Sequence, residues 1–332
     1  MKYFLALLFF LTMSISQAQT KNNSSDILKW VHATINIECE YANENQREKL
    51  SNLLTSEKIN LEEYIKKQDS LDLLPRPSGT AIFVLYNKKY YLITARHVIL
   101  DTTYSNNNNN KISPKIFLVE SPQTLINHSG DVIDKNGNLY IKNRNVLAIL
   151  YKLSSYELSS PQQDLGVIGL DDNYFTKLFT NKLIQGGYTP ITLSDINTLC
   201  SIKEGEKIFA VGYPVESEIF NKGALPKPYL SWEGWSVTLP TISWGTIGNV
   251  LKNENHFEGN IFVYHGFSGG AVIAKNKLIG ITSGETRELG QKSGSSPNIY
   301  FVHHSLFIKS SLIIPLLKKL ESRLKRNRND LE

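Results

Sequence analysis

From Ser78 to about residue 302 the chain is a succession of short β-rich runs separated by turns, with little helix between them. Runs at 79–86 and 89–94 are joined by a short polar turn at Asn87-Lys88. Others follow at 115–120, 132–133, 138–141, 146–151 and 164–170, with Asn136-Gly137 marking a hairpin. A turn-rich connector extends to about residue 195. A second set then opens at 207–212, 231–237, 243–250, 260–264, 270–273, 278–283 and 298–302. Parallel sheets need a crossover helix between strands, and that alternation is missing here. The pattern therefore predicts antiparallel barrels or sandwiches in two successive halves.

Helix is expected only around this β-rich body. Residues 43–70 are rich in Glu, Lys, Gln and Leu, with Leu50, Leu53, Leu54, Leu61 and Tyr64 at helical spacings. They read as one or two helices forming an insertion or lid. Residues 30–41 carry Val31, Ile35 and Ile37 and read as a first strand. From about residue 312 an amphipathic helix closes the chain. Leu316, Leu317, Leu320 and Leu324 form its apolar stripe, and Pro315 is tolerated only near its start.

Composition sets the outer bounds. The 332 residues are 41% hydrophobic and 20% charged, which predicts a folded body with a substantial core. The net charge of +5 is mild for this length and does not argue for a nucleic-acid partner. Lys2, the apolar run 4–11 and Ser16-Gln17-Ala18 have the layout of a secretory signal peptide cleaved near Ala18. The apolar run is too short to span a bilayer. The expectation is an exported, periplasmic or secreted protein with no membrane anchor after signal removal. Its segments are 1–18 (signal peptide), 19–77 (N-terminal segment with the helical insertion), 78–195 (first barrel) and 196–332 (second barrel and C-terminal helix). Cys39 and Cys200 are candidates to pair in an oxidising compartment, but the sequence gives no distance between them. Oligomeric state is not legible.

One stretch carries chemistry. In Gly266-Phe267-Ser268-Gly269-Gly270 a serine lies between glycines, with 261–264 apolar before it and 271–273 after it. Glycines let a substrate lie against the main chain. A serine in such a turn presents a hydroxyl and nearby N–H groups to one point, which is what acyl transfer requires. By itself the motif is more often a turn than a nucleophile site. His97 closes one β run and Asp164 opens another. A serine hydroxyl needs a base near neutrality, and an imidazole needs an acceptor that holds its tautomer. His32, His128 and His256 have no such setting and read as surface residues. His303 and His304 are adjacent on a strand and face opposite ways, so no metal site is read.

The order His97, Asp164, Ser268 and the local motifs together resemble the trypsin-like serine peptidases of the chymotrypsin fold. The matching stretches are Thr94-Ala95-Arg96-His97-Val98, Asp164-Leu165-Gly166-Val167 and Gly266-Phe267-Ser268-Gly269-Gly270. Gly79-Thr80-Ala81 is similar to the strand preceding the histidine. Val211-Gly212-Tyr213-Pro214 looks like a second-barrel strand end of HtrA-type bacterial members. The stretch 297–302 looks like the family's last strand. The resemblance covers about residues 75–325. It implies an all-β fold with added helices: two six-stranded antiparallel β-barrels with the cleft between them, a C-terminal helix and the N-terminal helical insertion. It also implies a peptide or protein substrate, no cofactor, and an oxyanion hole from the N–H groups of Gly266 and Ser268. The pocket it implies has Phe262 and Val263 at its base, His265 at its rim, and Thr282, Ser283, Gly284 and Asn298 in its walls. No carboxylate is expected at that base, so a small or medium apolar side chain is the expected preference. An acidic one held by His265, Thr282 and Ser283, as in glutamyl endopeptidases, is the runner-up.

Two positions depart from the family pattern. Phe267 stands where many members carry the aspartate that receives a new N-terminus on zymogen cleavage, so that switch is expected to be absent. Gly166 stands where alanine is common. Two other readings compete. Gly-x-Ser-x-Gly is also the nucleophile elbow of α/β-hydrolases, with Glu285 and His303 or His304 as partners, but an elbow needs a helix after the serine. A trypsin fold used only for binding, its cleft closed by the 43–70 insertion, is the non-enzymatic alternative.

Overall fold

The computed structural model describes residues 26–40, 44–72, 78–100, 112–113, 115–119, 132–133, 139–140, 146–151, 153–171, 173–199, 201–214, 240–250, 254–286 and 304–329. The chain enters through a short helix, α1 (residues 26–33), and builds a curved sheet. Its strands are β1 (Thr34–Glu40), β2 (Ser78–Tyr86), β3 (Lys89–Ala95), β4 (Lys115–Val119), β7 (Val146–Tyr151), β8 (Tyr156–Leu158), β9 (Leu165–Gly169) and β10 (Ile191–Thr192). The spatial order is β7-β4-β1-β2-β3-β9-β8, with β10 joining β2 in parallel. β5 (Val132–Ile133) and β6 (Leu139–Tyr140) pair separately. The second half is a closed barrel in the order β11-β12-β13-β16-β15-β14. Its strands are β11 (Lys207–Gly212), β12 (Thr241–Asn249), β13 (His256–Asn260), β14 (Ala271–Ala274), β15 (Lys277–Thr286) and β16 (His304–Lys309).

The fold is therefore all-β with added helices, but the two halves differ. The second is a six-stranded barrel as expected. The first is an eight-stranded half-barrel whose end strands β7 and β8 do not pair with each other among the described residues. Two hairpins follow directly from local sequence. Asn87 and Lys88 between β2 and β3, and Lys275 and Asn276 between β14 and β15, have positive φ at both positions. That is the two-residue turn whose twist matches the flanking strands.

Several expectations are corrected. Residues 30–33 are helical, and only 34–40 form a strand. Trp30 is fully buried from α1, its indole N–H donating to Asn276 at 3.0 Å, and the Thr34 hydroxyl closes back on the Trp30 carbonyl at 2.7 Å. β1 then lies between β2 and β4, so the segment before residue 78 supplies an interior strand of the first half. The insertion between β1 and β2 is two helices, α2 (Glu44–Thr55) and α3 (Leu61–Asp72), as read. The connector before residue 195 is not simply turns. It holds α5 (Tyr174–Gln185), started by a capping box in which Asn173 Oδ1 accepts from Thr176 N and Thr176 Oγ1 accepts from Asn173 N, both at 3.0 Å. In the second half, β13 covers 256–260 and the stretch 261–264 lies outside any strand. Cys200, the signal sequence and the runs expected at 231–237 and 298–302 lie outside the described residues; Cys39 is buried.

Strand alternation feeds separate cores. On β2, Ile82 and Val84 face the layer between the two halves, while Ala81 and Phe83 face a core under α5 with Phe179 and Leu183. On β11, Phe209 and Val211 face the inter-half layer, while Ile208 and Ala210 face the barrel interior. Both faces of these strands are buried, which is why they read as continuous apolar runs rather than alternating ones. The C-terminal helix α6 (Ile313–Asn329) returns across both halves. It buries Leu316, Leu317 and Leu320 in the shared layer. Each leucine contributes about 1.5–3 kcal/mol on burial. The Lys319–Glu157 pair at 2.8 Å has a largely exposed lysine and is worth about 0–1 kcal/mol, so the leucines hold the helix.

Candidate active site

The site forms where β3, β9 and the loop before β14 meet. After β3 the chain makes one helical turn, α4 (Arg96–Ile99), instead of simply ending a strand, and this turns His97 toward the cleft. Two main-chain bonds fix that turn to the opposite strand. Arg96 N donates to the Asp164 carbonyl at 2.7 Å, and His97 N donates to Asp164 Oδ1 at 3.0 Å. His97 Nδ1 lies 2.8 Å from Asp164 Oδ2. A carboxylate accepts only, so Nδ1 carries the proton and Nε2 is left as the basic nitrogen.

Asp164 has φ +49°, a left-handed conformation that aspartate tolerates better than most residues. The turn before it explains how this is held: Asp164 N donates to Ser160 O at 3.1 Å, and Leu165 N to Ser159 Oγ at 2.8 Å. Asp164 Oδ2 also accepts from Ser283 Oγ at 2.6 Å. The carboxylate thus takes three donors, two of them from the histidine. The sequence places Ser283 in the pocket wall; the residue does line the cleft, and its hydroxyl is bound to the acid. A serine 119 residues from Asp164 carries no local signal of that bond.

Ser268 lies in the glycine turn, partly buried. Its hydroxyl donates to the Ser283 carbonyl at 3.2 Å. Gly266 and Gly269 have φ of +95° and +89°, which only glycine adopts readily. The turn uses its main chain selectively. Phe267 N donates to Tyr264 O at 3.0 Å, Gly269 N to Thr282 O at 2.7 Å and Gly270 N to Phe267 O at 2.7 Å. Among the described residues, the N–H groups of Gly266 and Ser268 have no such acceptor. Those are the two groups expected to face an oxyanion. Phe267 is fully buried in the barrel interior, packed on Gly212. No helix follows the serine; β14 does, which removes the α/β-hydrolase reading.

A cleft of about 380 Å³ brings His97 and Ser268 together with Val263, His265, Thr282, Ser283 and Gly284. Tyr264, which the sequence reading passed over, also lines it. Phe262 does not. Ile261 and Val263 are buried, whereas Phe262 is 58% exposed, because neighbours on extended chain point to opposite sides. Only one of the two residues expected at the base therefore reaches it. Asn298 lies outside the described residues. Among the described residues, the Thr282 hydroxyl, buried in the cleft wall, has no hydrogen-bond partner.

A family model described as a trypsin-like peptidase domain matches residues 79–281. No curated protein matches the chain. Among solved structures, one titled "Structure of Glu endopeptidase in complex with MPD" is similar at 14% identity and a TM-score of 0.42, over 74% of this chain and 86% of that one.

Proposed function

Because the chain belongs to the trypsin-like peptidase family, we propose that it is an exported serine endopeptidase with Ser268 as nucleophile, His97 as base and Asp164 as the residue that orients the base. The observation that carries this reading is the 2.8 Å contact of Asp164 Oδ2 with His97 Nδ1, on the same cleft as Ser268 and its two unengaged N–H groups. Ser268 Oγ leaves the Ser283 carbonyl, passes its proton to His97 Nε2 and bonds to the scissile carbonyl carbon. The oxyanion is received by Gly266 N–H and Ser268 N–H. The C–N bond then breaks, His97 protonates the leaving amine, and an ester on Ser268 remains. Water, deprotonated by His97, attacks that ester, and Ser268 regains its proton as the acid product leaves. Asp164 stays ionised and stabilises the imidazolium.

The pocket supports a preference for small or medium apolar side chains before the scissile bond. Val263 and Thr282 line it, and its described wall holds no carboxylate to pair with a lysine or arginine. The unpartnered Thr282 hydroxyl, with His265 at the mouth, favours an acidic or amide side chain as the second reading. A peptide series varying that one residue, run at pH 6 and pH 8, separates the two, and a preference for lysine or arginine rejects both.

A fluorophosphonate probe tests the reaction itself. Wild-type protein should label at Ser268, whereas a fold used only for binding would not. Ser268→Ala should lose about 10⁶ in turnover, the scale known for removing a serine nucleophile, and His97→Ala about as much. Near-normal peptidase activity in either variant would show that the residues are misassigned. Export is tested by the mature N-terminus, which should begin after Ala18.

A further inference from the structure

Thr80 is a fully buried residue of β2 in the first half, yet its polar groups serve the nucleophile turn of the second. Thr80 N donates to the Ser268 carbonyl at 2.8 Å. Its hydroxyl donates to the Gly266 carbonyl at 2.7 Å and accepts from Tyr213 N, at the end of β11, at 3.0 Å. Its carbonyl accepts from the Thr94 hydroxyl at 2.6 Å, three residues before His97. The same carbonyl lies against Gly269, where any Cβ would overlap it. One residue therefore joins the strand carrying the base, the end of β11 and the turn carrying the nucleophile.

We infer that Thr80 is a positioning residue whose hydroxyl holds the Gly266–Phe267 peptide, and through it the two oxyanion-binding N–H groups, in the orientation that catalysis needs. The inference rests on the peptidase reading above and adds to it the device that keeps the hole open. Gly266 has no Cβ and a left-handed φ, so its own conformational preference does not hold this peptide. The surroundings must do so. Phe267 N is held by Tyr264 O and Phe267 O by Gly270 N, both bonds within the turn. The Thr80 hydroxyl is the bond that ties the Gly266 carbonyl to the other half of the molecule. It donates one hydrogen bond and accepts another, so a residue lacking it leaves two buried main-chain groups without this partner.

The decisive comparison is Thr80→Val, which keeps the shape and removes the hydroxyl, against Thr80→Ser, which keeps the hydroxyl. Thr80→Val should lower kcat by roughly 10- to 100-fold, somewhat less than outright removal of an oxyanion donor. KM should change by less than about threefold, since the ground state makes little use of the hole. The affinity of a peptide aldehyde, whose tetrahedral adduct occupies the hole, should fall in parallel with kcat, while that of the product peptide should not. Thr80→Ser should restore all three to within about threefold of wild type. If Thr80→Val does not fold, Thr80→Cys, with its weak S–H donor, carries the same prediction with a smaller loss. Amide hydrogen exchange over residues 264–270 reads the turn whether or not the protein cleaves peptides. The Phe267 and Gly270 amides should exchange faster in the valine variant and not in the serine variant. Unchanged exchange there, or equal loss of kcat in the valine and serine variants, overturns the inference. A wild-type protein that fails to label with fluorophosphonate but shows the predicted exchange pattern refutes the peptidase reading and keeps the structural role of Thr80.

Discussion

Phe267 offers the sharpest test of how this site is held. The residue before the proposed nucleophile is not an acid awaiting a partner. It is a fully buried aromatic ring among Ile208, Val263, Val272 and other residues of the barrel interior. Truncation to alanine removes the ring from a closed barrel with limited freedom to collapse, and Phe→Ala in such a setting costs about 3–5 kcal/mol. At about 2 °C per kcal/mol, the lower end of the scale for domains of 150–250 residues and suited to a longer chain, the midpoint should fall by about 6–10 °C. The peptide planes on both sides of Phe267 set the Gly266 and Ser268 N–H groups. The variant should therefore also lose about 10²-fold or more in kcat at temperatures where it remains folded, the scale of one lost oxyanion donor. Phe267→Leu, which keeps most of the volume, should lose less on both counts. Calorimetry and denaturant titration give the first quantity, and turnover well below the midpoint gives the second. A stability loss under about 1 kcal/mol would refute the anchoring argument, and full activity in folded Phe267→Ala would refute the link from core to hole.

Since no buried acid before Ser268 awaits a new terminus, extending the mature N-terminus by a few residues should leave turnover nearly unchanged, and a large loss measured against the unextended form would show that some group does receive it. Trp30→Ala, which removes a fully buried indole and its bond to Asn276, should cost about 3–5 kcal/mol by denaturant titration. His256, read from sequence as a surface residue, opens β13 partly buried, and burial holds its imidazole below the ordinary 6.5, with Lys309 adding to this and Asp164 and Glu254 opposing it. The unfolded chain then binds the proton more readily, so this contribution to stability is present above about pH 6.5 and is lost as pH falls through the folded value; His256→Gln should flatten that part of the stability–pH curve. Asp195 is pushed up by burial but pulled further down by Lys29 and Thr192, leaving it below 3.8. Its contribution is present above that value and lost as pH falls through the lower folded one; in Lys29→Met the folded value rises toward the unfolded one, so this acid-side loss of stability should shrink.

The features legible in the sequence are those written in neighbouring residues. Asn87-Lys88 marks a tight turn because two central residues decide a two-residue hairpin. The leucine stripe of α6 is legible because a helix repeats every few residues. His97, Asp164 and Ser268 are legible as candidates because each lies in a short stretch with its own turn and strand signals. Where those signals compete, local reading fails. Residues 30–33 are apolar enough for a strand, yet they form a helix because Trp30 is buried against the β14–β15 turn. The α5 helix was hidden in a turn-rich stretch because its stability comes from Phe179 and Leu183 packing on the half-barrel. The tertiary structure alone decided which candidate polar groups meet. Ser283 reaches Asp164 across 119 residues, and Thr80 reaches Gly266 across 186. Val263 lines the cleft and Phe262 does not, a distinction set by which side of the chain after β13 faces the interior. Hydrogen bonds of this kind act over about 3 Å and leave no periodicity in the chain. They exist only once the two halves have packed through the shared layer of Ile82, Val84, Phe209 and Val211.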